Sequence, residues 1–400
     1  MKILKRILLA FFVIILLAQI PFIYRRYQIG NLAAKIAKLE KGRVHRDDAQ
    51  YKEYKGIIHA HTSLGGHSTG TFDELIAAAN SNDLDFVLMT EHWSDAFDTS
   101  AMTLNGIYGK TLFVGGNEID TADGDRFLMV PGSTDAAGLR NFPTNAVVEK
   151  LQAESRLALI TYPERFKSWD SNFDGIEVFS LHTNAKQMNP LTAFGDLIWS
   201  YTAYPELTLA SYFKRPDANL QKFDEIAAVR NISLFAGTDA HSNIGFHVFG
   251  DDSGYKLINI KLDPYATIFR LARTHILVDK NISLTRESLV EAFKNRRFFT
   301  GFDAIGDTRG FSFTASSGAA TSQMGDVIAN STGIKFEATA PANARFVLLK
   351  DGRPIAFETG TAVSALADGA GAYRVEVYCD DLGPPFDKMP WILSNPIYVR

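Results

Sequence analysis

His59 and His61 stand two residues apart directly after an apolar run, a pattern typical of a metal site. Because alternate residues of a strand face the same side, their imidazoles can project together and bind one ion. Asp239 and His241 repeat this spacing after another apolar run. Other runs also end in ionisable residues, and the full set of candidate metal ligands is His59, His61, His67, His92, Glu118, His182, Asp239 and His241.

Imidazole and carboxylate ligands without thiolate suit Zn²⁺, Mn²⁺ or Fe²⁺. The single cysteine, Cys379, excludes cysteine-based metal motifs and an internal disulfide framework. Because the candidate set exceeds what one ion needs, we expect two or three divalent ions close together, with Glu118 as a bridging carboxylate. Such a cluster lowers the pKa of a bound water and neutralises charge that grows on a phosphoryl or carbonyl oxygen, which favours hydrolysis. In this prediction Glu118 and Asp239 serve catalysis as well as binding.

Short apolar runs alternate with helical segments between residues 54 and 284, which predicts a parallel sheet or barrel. The predicted strands are 56–58, 86–89, 112–115, 157–161, 175–179 and 232–236. The predicted helices are 72–82, 144–155 and 217–230. Most of the candidate ligands follow the predicted strands, at the end where parallel α/β folds build their sites.

The pattern changes beyond residue 284. One more helix is predicted over 285–296, followed by alternating runs typical of strands, with Asp351 and Gly352 at a tight hairpin turn. Residues 285–400 are therefore predicted to form a β-sandwich accessory domain.

Residues 1–28 are typical of a membrane anchor or a signal peptide. Lys2, Lys5 and Arg6 precede an apolar run over residues 7–24. We favour a transmembrane anchor, because the run approaches the roughly 20 residues that span a bilayer and no cleavage pattern follows it. Residues 29–53 are predicted to be an amphipathic stalk or a solvated linker.

Two features of the N-terminal segment point to opposite sides of the membrane for the folded part. Counted literally, the positive residues flanking the span favour a cytoplasmic location. A short basic segment before an apolar run also begins exported proteins, and we expect an extracytoplasmic catalytic domain. The formal net charge of −4 gives no basic excess for a phosphate backbone, so no nucleic-acid partner is expected.

In order and spacing, the motifs resemble those of the PHP (polymerase and histidinol phosphatase) superfamily, in its membrane-associated or exported branch. They are His59-Ala-His61-Thr, His67-Ser, Thr-Glu91-His92, Gly-Asn-Glu118 and Thr-Asp239-Ala-His241-Ser. The resemblance implies a distorted (β/α)₇ TIM-like barrel with a di- or trinuclear metal centre. A looser resemblance of the C-terminal region to the β-rich domain that follows such barrels includes Gly325-Asp326 and residues 391–399.

The resemblance also implies how the ligands divide among ions. One ion would be bound by His59, His61, Glu118 and Asp239, a second by His67, His92 and His241, and a third by Glu118 and His182. Two residues depart from the family pattern: Tyr162 replaces a usual histidine ligand, and Glu91 stands where Asp is common. Because a phenol is a poor ligand unless it is deprotonated, the departure at Tyr162 puts one ion in doubt.

Three functions remain open on this evidence. The first is a metal-dependent phosphoesterase acting on a small phosphomonoester or phosphodiester, with Arg165 or Lys167 holding a phosphate oxygen. The second is hydrolysis of an amide or carbamate ester at the same metal centre. The third is a metal-bearing binding module that lost its activity when Tyr162 displaced a ligand.

Overall fold

The computed structural model describes residues 2–44, 46–250 and 256–400, of which 245–250 and 256–260 are described by their backbone alone. The helices are α1 (Lys2–Lys41), α2 (Phe72–Ser81), α3 (Thr99–Met102), α4 (Ala136–Leu139), α5 (Thr144–Ala153), α6 (Leu181–Lys186), α7 (Pro190–Asp196), α8 (Pro205–Ala210), α9 (Asp217–Ala227), α10 (Tyr265–Ile268) and α11 (Arg286–Lys294). A π-helical segment, Leu197–Tyr201, extends α7 directly. Single 3₁₀ turns lie at Ser63–Gly65, Pro163–Arg165 and Asp380–Leu382.

Most strands belong to one large hydrogen-bonded sheet. The strands are β1 (Tyr51–Ala60), β2 (Phe86–His92), β3 (Gly106–Tyr108), β4 (Thr111–Asp120), β5 (Arg126–Val130), β6 (Leu157–Ile160), β7 (Gly175–Ser180), β8 (Ser233–Gly237), β9 (Gly245–Gly250), β10 (Lys256–Lys261), β11 (Arg273–Asp279), β12 (Phe298–Gly301), β13 (Ser312–Ser317), β14 (Ala320–Gln323), β15 (Val327–Ile328), β16 (Lys335–Lys350), β17 (Arg353–Leu366), β18 (Gly371–Tyr378), β19 (Ile392–Ser394) and β20 (Ile397–Val399). Strands β9 and β10 form a separate two-stranded sheet. The six strands predicted in the catalytic region correspond to β1, β2, β4, β6, β7 and β8.

The strands that carry the candidate ligands are mostly parallel. β1 pairs with β2, β2 with β4, β6 with β7 and β7 with β8 in parallel, whereas β5 is antiparallel to both β4 and β6. β8 meets β1 at an isolated parallel bridge between Ala60 and Ala240. The Thr238 amide also donates to the Ile58 carbonyl at 3.0 Å. The fold is thus mixed α/β with a large sheet, and closure into a barrel stays a prediction.

The C-terminal strands are joined to the same sheet. β11 pairs with both β1 and β12, and β12 pairs with β19 near the C-terminus. The predicted hairpin turn is confirmed, since Asp351 and Gly352 join β16 to β17 with φ of 48° and 76°. Both φ values are in the left-handed region that a tight hairpin turn requires. The sandwich and the boundary at residues 284 and 285 stay predictions.

The N-terminal apolar run and the segment after it form one continuous helix, α1, about 60 Å long at 1.5 Å per residue. Among the described residues, α1 is the helix with the length and composition to cross a membrane, and its apolar stretch is not buried. Its later part packs on the folded body, where Ile29 and Leu32 are buried. Residues 29–41 are therefore part of a packed helix, which differs from the solvated-linker alternative.

Candidate metal centre

The end of β1 brings two imidazoles onto one carboxylate oxygen. His59 Nε2 lies 3.3 Å and His61 Nε2 lies 3.4 Å from Asp239 Oδ1, and both histidines are fully buried. The strand is irregular at this point, because His59 has φ of 71° and the β1–β2 register shifts between Ile58 and Ala60. Convergence of the two rings thus depends on a local distortion as well as on the alternation of the strand.

Glu118, near the end of β4, lies close to three histidines. Its Oε1 lies 3.6 Å from His59 Nε2, and its Oε2 lies 3.7 Å from His61 Nε2 and 3.2 Å from His92 Nδ1. Parallel pairing of β2 with β4 sets His92 directly beside Glu118. Glu118 therefore lies within 3.7 Å of all three histidines, and its role as a bridging ligand stays a prediction.

A second group of ring nitrogens lies on the solvent side of this cluster. His61, His92 and His241 each offer a nitrogen within 4.8 Å of the others, as do the ligand atoms of the inner group His59, His61 and Glu118. His61 therefore belongs to both groups. His67 lies next to His92 with ring centroids 4.9 Å apart, and His182 lies 6.2 Å from His241 by the same measure. All eight residues predicted as ligands are thus gathered at one end of the sheet.

Several buried polar atoms in the cluster have no hydrogen-bond partner. They are Nε2 of His59, both ring nitrogens of His61, both carboxylate oxygens of Glu118 and Oδ1 of Asp239. A buried polar atom without a partner is costly, and native structures rarely contain several together. Divalent cations would satisfy these nitrogen and oxygen donors, so the residues fit a metal centre.

The pKa values in the cluster show which ligands are already in the form that binds metal. Burial acts to lower the pKa of His59, but Glu177 and Asp239 outweigh it and raise the pKa well above its usual value, so His59 would release a proton to an incoming ion. Burial lowers the pKa of His61 to about 3 against the attraction of Asp239, so His61 is neutral at neutral pH. Burial acts to raise the pKa of Glu118, but His59 and His61 outweigh it and lower the pKa to about 2. The histidines likewise hold the pKa of Asp239 well below its usual range despite burial. Neutral imidazoles and ionised carboxylates are the ligand forms of these side chains.

Glu177 is a buried residue of the site that the sequence analysis missed. Nδ1 of His59 donates to Glu177 Oε1 at 2.8 Å, and Thr161 Oγ1 donates to Glu177 Oε2 at 2.6 Å. A carboxylate that accepts from one imidazole nitrogen directs the other nitrogen towards a metal. Gly237 makes room for it, because a Cβ there would lie 1.6 Å from Glu177 Oε1. The available signal was a lone acidic residue inside the apolar strand 175–179.

The two departures from the family pattern have defined contacts. The Tyr162 hydroxyl donates to Asp239 Oδ2 at 2.7 Å, so the phenol holds the carboxylate that lies between His59 and His61. Burial, followed by the charge of Asp239, raises the pKa of Tyr162, which keeps the phenol protonated.

The Glu91 side chain points into the loop that follows β1. Its carboxylate accepts from the Thr62 amide at 2.9 Å and from Thr103 Oγ1 at 3.0 Å. Glu91 thus stabilises the loop that follows His61.

A pocket of about 510 Å³ opens over the cluster. Its walls include Arg126 and Lys186, together with Trp93 and Tyr162. Arg126 Nη1 lies 3.6 Å from Glu118 Oε1, which brings a guanidinium next to the centre. Arg165, predicted to hold a phosphate, is exposed and lines an adjoining pocket instead. Arg126 and Lys186 therefore supply the cations on the wall of the pocket over the cluster.

Comparison with known proteins gives limited likenesses. No family model matches the chain, and no curated protein matches it. One solved structure, described as a two-domain protein containing predicted PHP-like metal-dependent phosphoesterase from Bacteroides vulgatus ATCC 8482, is 14% identical with a TM-score of 0.38; the match covers 88% of this chain and 98% of that one. Another, PsfC from Pseudomonas syringae PB-5123, is 11% identical with a TM-score of 0.36, over 64% of this chain and 94% of that one. The words PHP-like agree with the resemblance in the motifs, but both TM-scores lie below 0.5, so the site itself must carry the functional argument.

Proposed function

We propose that this protein is a membrane-anchored, metal-dependent phosphoesterase of the PHP type. The observation that carries the proposal is the set of buried, unpartnered donor atoms on His59, His61, Glu118 and Asp239, which face one another at the end of the sheet. The cations on the pocket wall favour a phosphoester over the neutral carbonyl of an amide or carbamate.

Two groups of residues would hold the ions. The inner group is His59, His61, Glu118 and Asp239, and the outer group is His61, His92 and His241, with His67 and His182 nearby. Divalent ions such as Zn²⁺, Mn²⁺ or Fe²⁺ would supply a water of lowered pKa and neutralise charge on the phosphoryl oxygens.

The chain's own residues position these groups and the substrate. Glu177 and Tyr162 fix the orientations of His59 and Asp239, so the inner group is held before a substrate arrives. Arg126 and Lys186 would attract the phosphate and bind its oxygens. Overall, the oxygen of water bonds to phosphorus, the P–O ester bond breaks, one proton of that water passes to the released alcohol, and the other stays with the phosphate.

We also propose that β1, β2, β4, β5, β6, β7 and β8 form a closed, distorted barrel. The bridge between Ala60 and Ala240 and the bond from Thr238 to Ile58 support this closure. The barrel would occupy residues 54–284, with a β-sandwich over 285–400. The metal cluster would then lie at the carboxyl end of its parallel strands, as in other barrels.

Residues 1–28 are proposed to be a retained anchor rather than a cleaved signal. Arg25 of α1 binds Asp196 with its Nε 2.8 Å from Oδ1, and Asp196 is fully buried. Cleavage beyond Arg25 would leave this buried carboxylate without its cation, a costly state. Gly195 supports the same packing, since a Cβ there would lie 2.1 Å from Phe22 Cε1. We propose that the catalytic part lies outside the cytoplasm.

The proposal is tested with full-length protein in detergent, stripped of metal by a chelator and reloaded with Mn²⁺ or Zn²⁺. We expect hydrolysis of 4-nitrophenyl phosphate or bis(4-nitrophenyl) phosphate that exceeds hydrolysis of a 4-nitrophenyl carbamate. Arg126→Met should lower kcat/KM by about 10²-fold, whereas Arg286→Met, at an exposed position of α11, should not change it. Turnover of the carbamate alone, or no turnover by metal-replete protein, would overturn the proposal. Loss of activity in Arg165→Met but not in Arg126→Met would restore the phosphate-binding role predicted for Arg165.

A further inference from the structure

A second pocket, mostly apolar, adjoins the metal centre. Its volume is about 290 Å³, near the lower end of the roughly 300–1,000 Å³ typical of ligand pockets. Its walls are largely hydrocarbon and aromatic, including Leu181, Ala193, Leu197, Leu209 and Ile268. His182 and Asp239 line both this pocket and the one over the histidine cluster. A molecule with one polar and one apolar part would therefore fit the two pockets together.

The outer wall of the apolar pocket is the helix that packs against α1. Ala193, Phe194 and Leu197, on α7 and its π-helical extension, line the pocket. The buried Asp196 on the same helix accepts from Arg25 of α1 and also from the hydroxyl of Tyr212, another wall residue, at 2.5 Å. The end of the apolar run of α1 is thus attached directly to the pocket wall.

The opposite side of this wall is apolar and exposed. Leu191, Phe194 and Ile198 are 74%, 56% and 55% exposed, and their spacing puts them on one side of the helix. Nearby, Gln19 Oε1 of α1 accepts from Trp199 Nε1 at 2.9 Å, near the end of the apolar run. Exposed apolar side chains beside a membrane anchor are positioned to enter the bilayer surface. Phe194 lines the pocket and also belongs to this exposed apolar surface, so the pocket adjoins the surface that would face the membrane.

We infer that the apolar pocket holds the hydrocarbon chain of a membrane-lipid phosphoester while its phosphate lies against the histidine cluster. The inference rests on the proposed phosphoesterase function and names its substrate class. The lipid would move from the bilayer past Phe194, with its chain against Leu197 and Leu209 and its phosphate near Arg126 and Lys186.

The activity test compares matched pairs of substrates in full-length protein reconstituted into nanodiscs of digalactosyldiacylglycerol, a bilayer lipid that carries no phosphoester. One pair is hexadecyl phosphate and ethyl phosphate, and the other is the hexadecyl and methyl esters of 4-nitrophenyl phosphate. We expect kcat/KM to be at least about tenfold higher for the long-chain member of the pair that is hydrolysed, because burial of even a few methylenes supplies that factor. Ala193→Phe should remove this preference and leave the short-chain rate unchanged. Ala218→Phe, which adds the same ring at an exposed position of α9, should behave as the unaltered protein.

A second measurement does not depend on turnover. A hexadecyl phosphate with a diazirine on its chain is photo-crosslinked to metal-free protein in the same nanodiscs, and the labelled residues are mapped by mass spectrometry. We expect label on Leu197, Leu209 or Met188, and its loss in Ala193→Phe.

Failure of this inference is distinguishable from failure of the proposed function. If neither member of either pair is hydrolysed by metal-replete protein, the phosphoesterase proposal fails. If the short-chain substrates are hydrolysed without a chain-length preference, or the label is confined to α1, the lipid inference fails and the phosphoesterase proposal stands. An equal loss of both rates in Ala193→Phe would also overturn the inference.

Discussion

Glu177 offers the sharpest test of how the metal centre is organised. Its carboxylate accepts from His59 Nδ1 at 2.8 Å, so the free Nε2 of His59 is turned towards Glu118 and Asp239. Glu177→Ala removes the acceptor that fixes this ring. Glu177→Gln keeps an acceptor oxygen of similar shape and removes the charge.

Substitution of a carboxylate that orients a metal-binding histidine typically lowers metal affinity by about 10–100-fold, or roughly 1.4–2.8 kcal/mol. Glu177 is fully buried and the bond to His59 is short, so we expect Glu177→Ala to fall in the upper part of that range. Glu177→Gln should lose less, because the hydrogen bond survives. Gly237→Ala should resemble Glu177→Ala, because its Cβ would displace the Glu177 carboxylate.

The assay is thermal unfolding of detergent-solubilised protein as a function of Mn²⁺ concentration. Metal that binds the folded state stabilises it by about 2.7 kcal/mol at 100 times its Kd. The Mn²⁺ concentration that gives a fixed rise in Tm should therefore be higher in Glu177→Ala, by the factor by which its Kd rises, and Glu225→Ala, at an exposed position of α9, should leave it unchanged. The same concentration in Glu177→Ala as in the unaltered protein would refute the positioning of His59 by Glu177.

Three further predictions concern stability and stoichiometry. Burial acts to lower the pKa of His275, but neighbouring carboxylates, first Asp303, raise it to about 9. The protonated imidazole should therefore add on the order of 3 kcal/mol to the free energy of unfolding below about pH 6.5, and this contribution should be lost as the pH rises through 9. In His275→Gln, the free energy of unfolding should fall less steeply over this alkaline range. Arg25→Ala should lower the free energy of unfolding by roughly 2 kcal/mol, because it leaves the buried Asp196 carboxylate without the guanidinium, itself only 34% exposed, that neutralises it. The double variant Arg25→Ala, Asp196→Asn should recover most of this loss in the same thermal assay, because the buried charge is gone. Tyr162→His should add one metal ion per chain in elemental analysis, because it supplies the imidazole ligand that the PHP pattern has at this position. An unchanged metal content would show that the loop after β6 does not direct an imidazole at position 162 towards the cluster.

Much of the candidate site could be predicted because its ligands follow strands with strong local signals. The apolar residues 56–58 lead directly to His59, and the parallel pairing of β1, β2 and β4 brings the ends of these strands together. The hairpin at Asp351 and Gly352 was predictable for a similar reason, since its turn chemistry is local.

The residues that were missed depend on contacts distant in sequence. Glu177 is a single acidic residue in an apolar strand, and its role follows only from His59, 118 positions away in the chain. Strand β5 was missed although Asp123 and Gly124 precede it, so its antiparallel pairing to β4 was not predicted. Arg126, which begins β5, was overlooked with it, and Arg165 was chosen instead. Local patterns therefore predicted the histidines and carboxylates that the structure gathers into one cluster better than the residues that position them or line the pocket.

We propose that His59, His61, Glu118 and Asp239 bind a divalent ion, and diffraction from crystals of Mn²⁺-loaded protein, with anomalous difference maps, would locate it. We expect a peak bonded to His59 Nε2, His61 Nε2 and an oxygen of Asp239, at about 2.0–2.3 Å, and a second peak beside His92 and His241. A map with no peak among these four residues in fully loaded protein would contradict it.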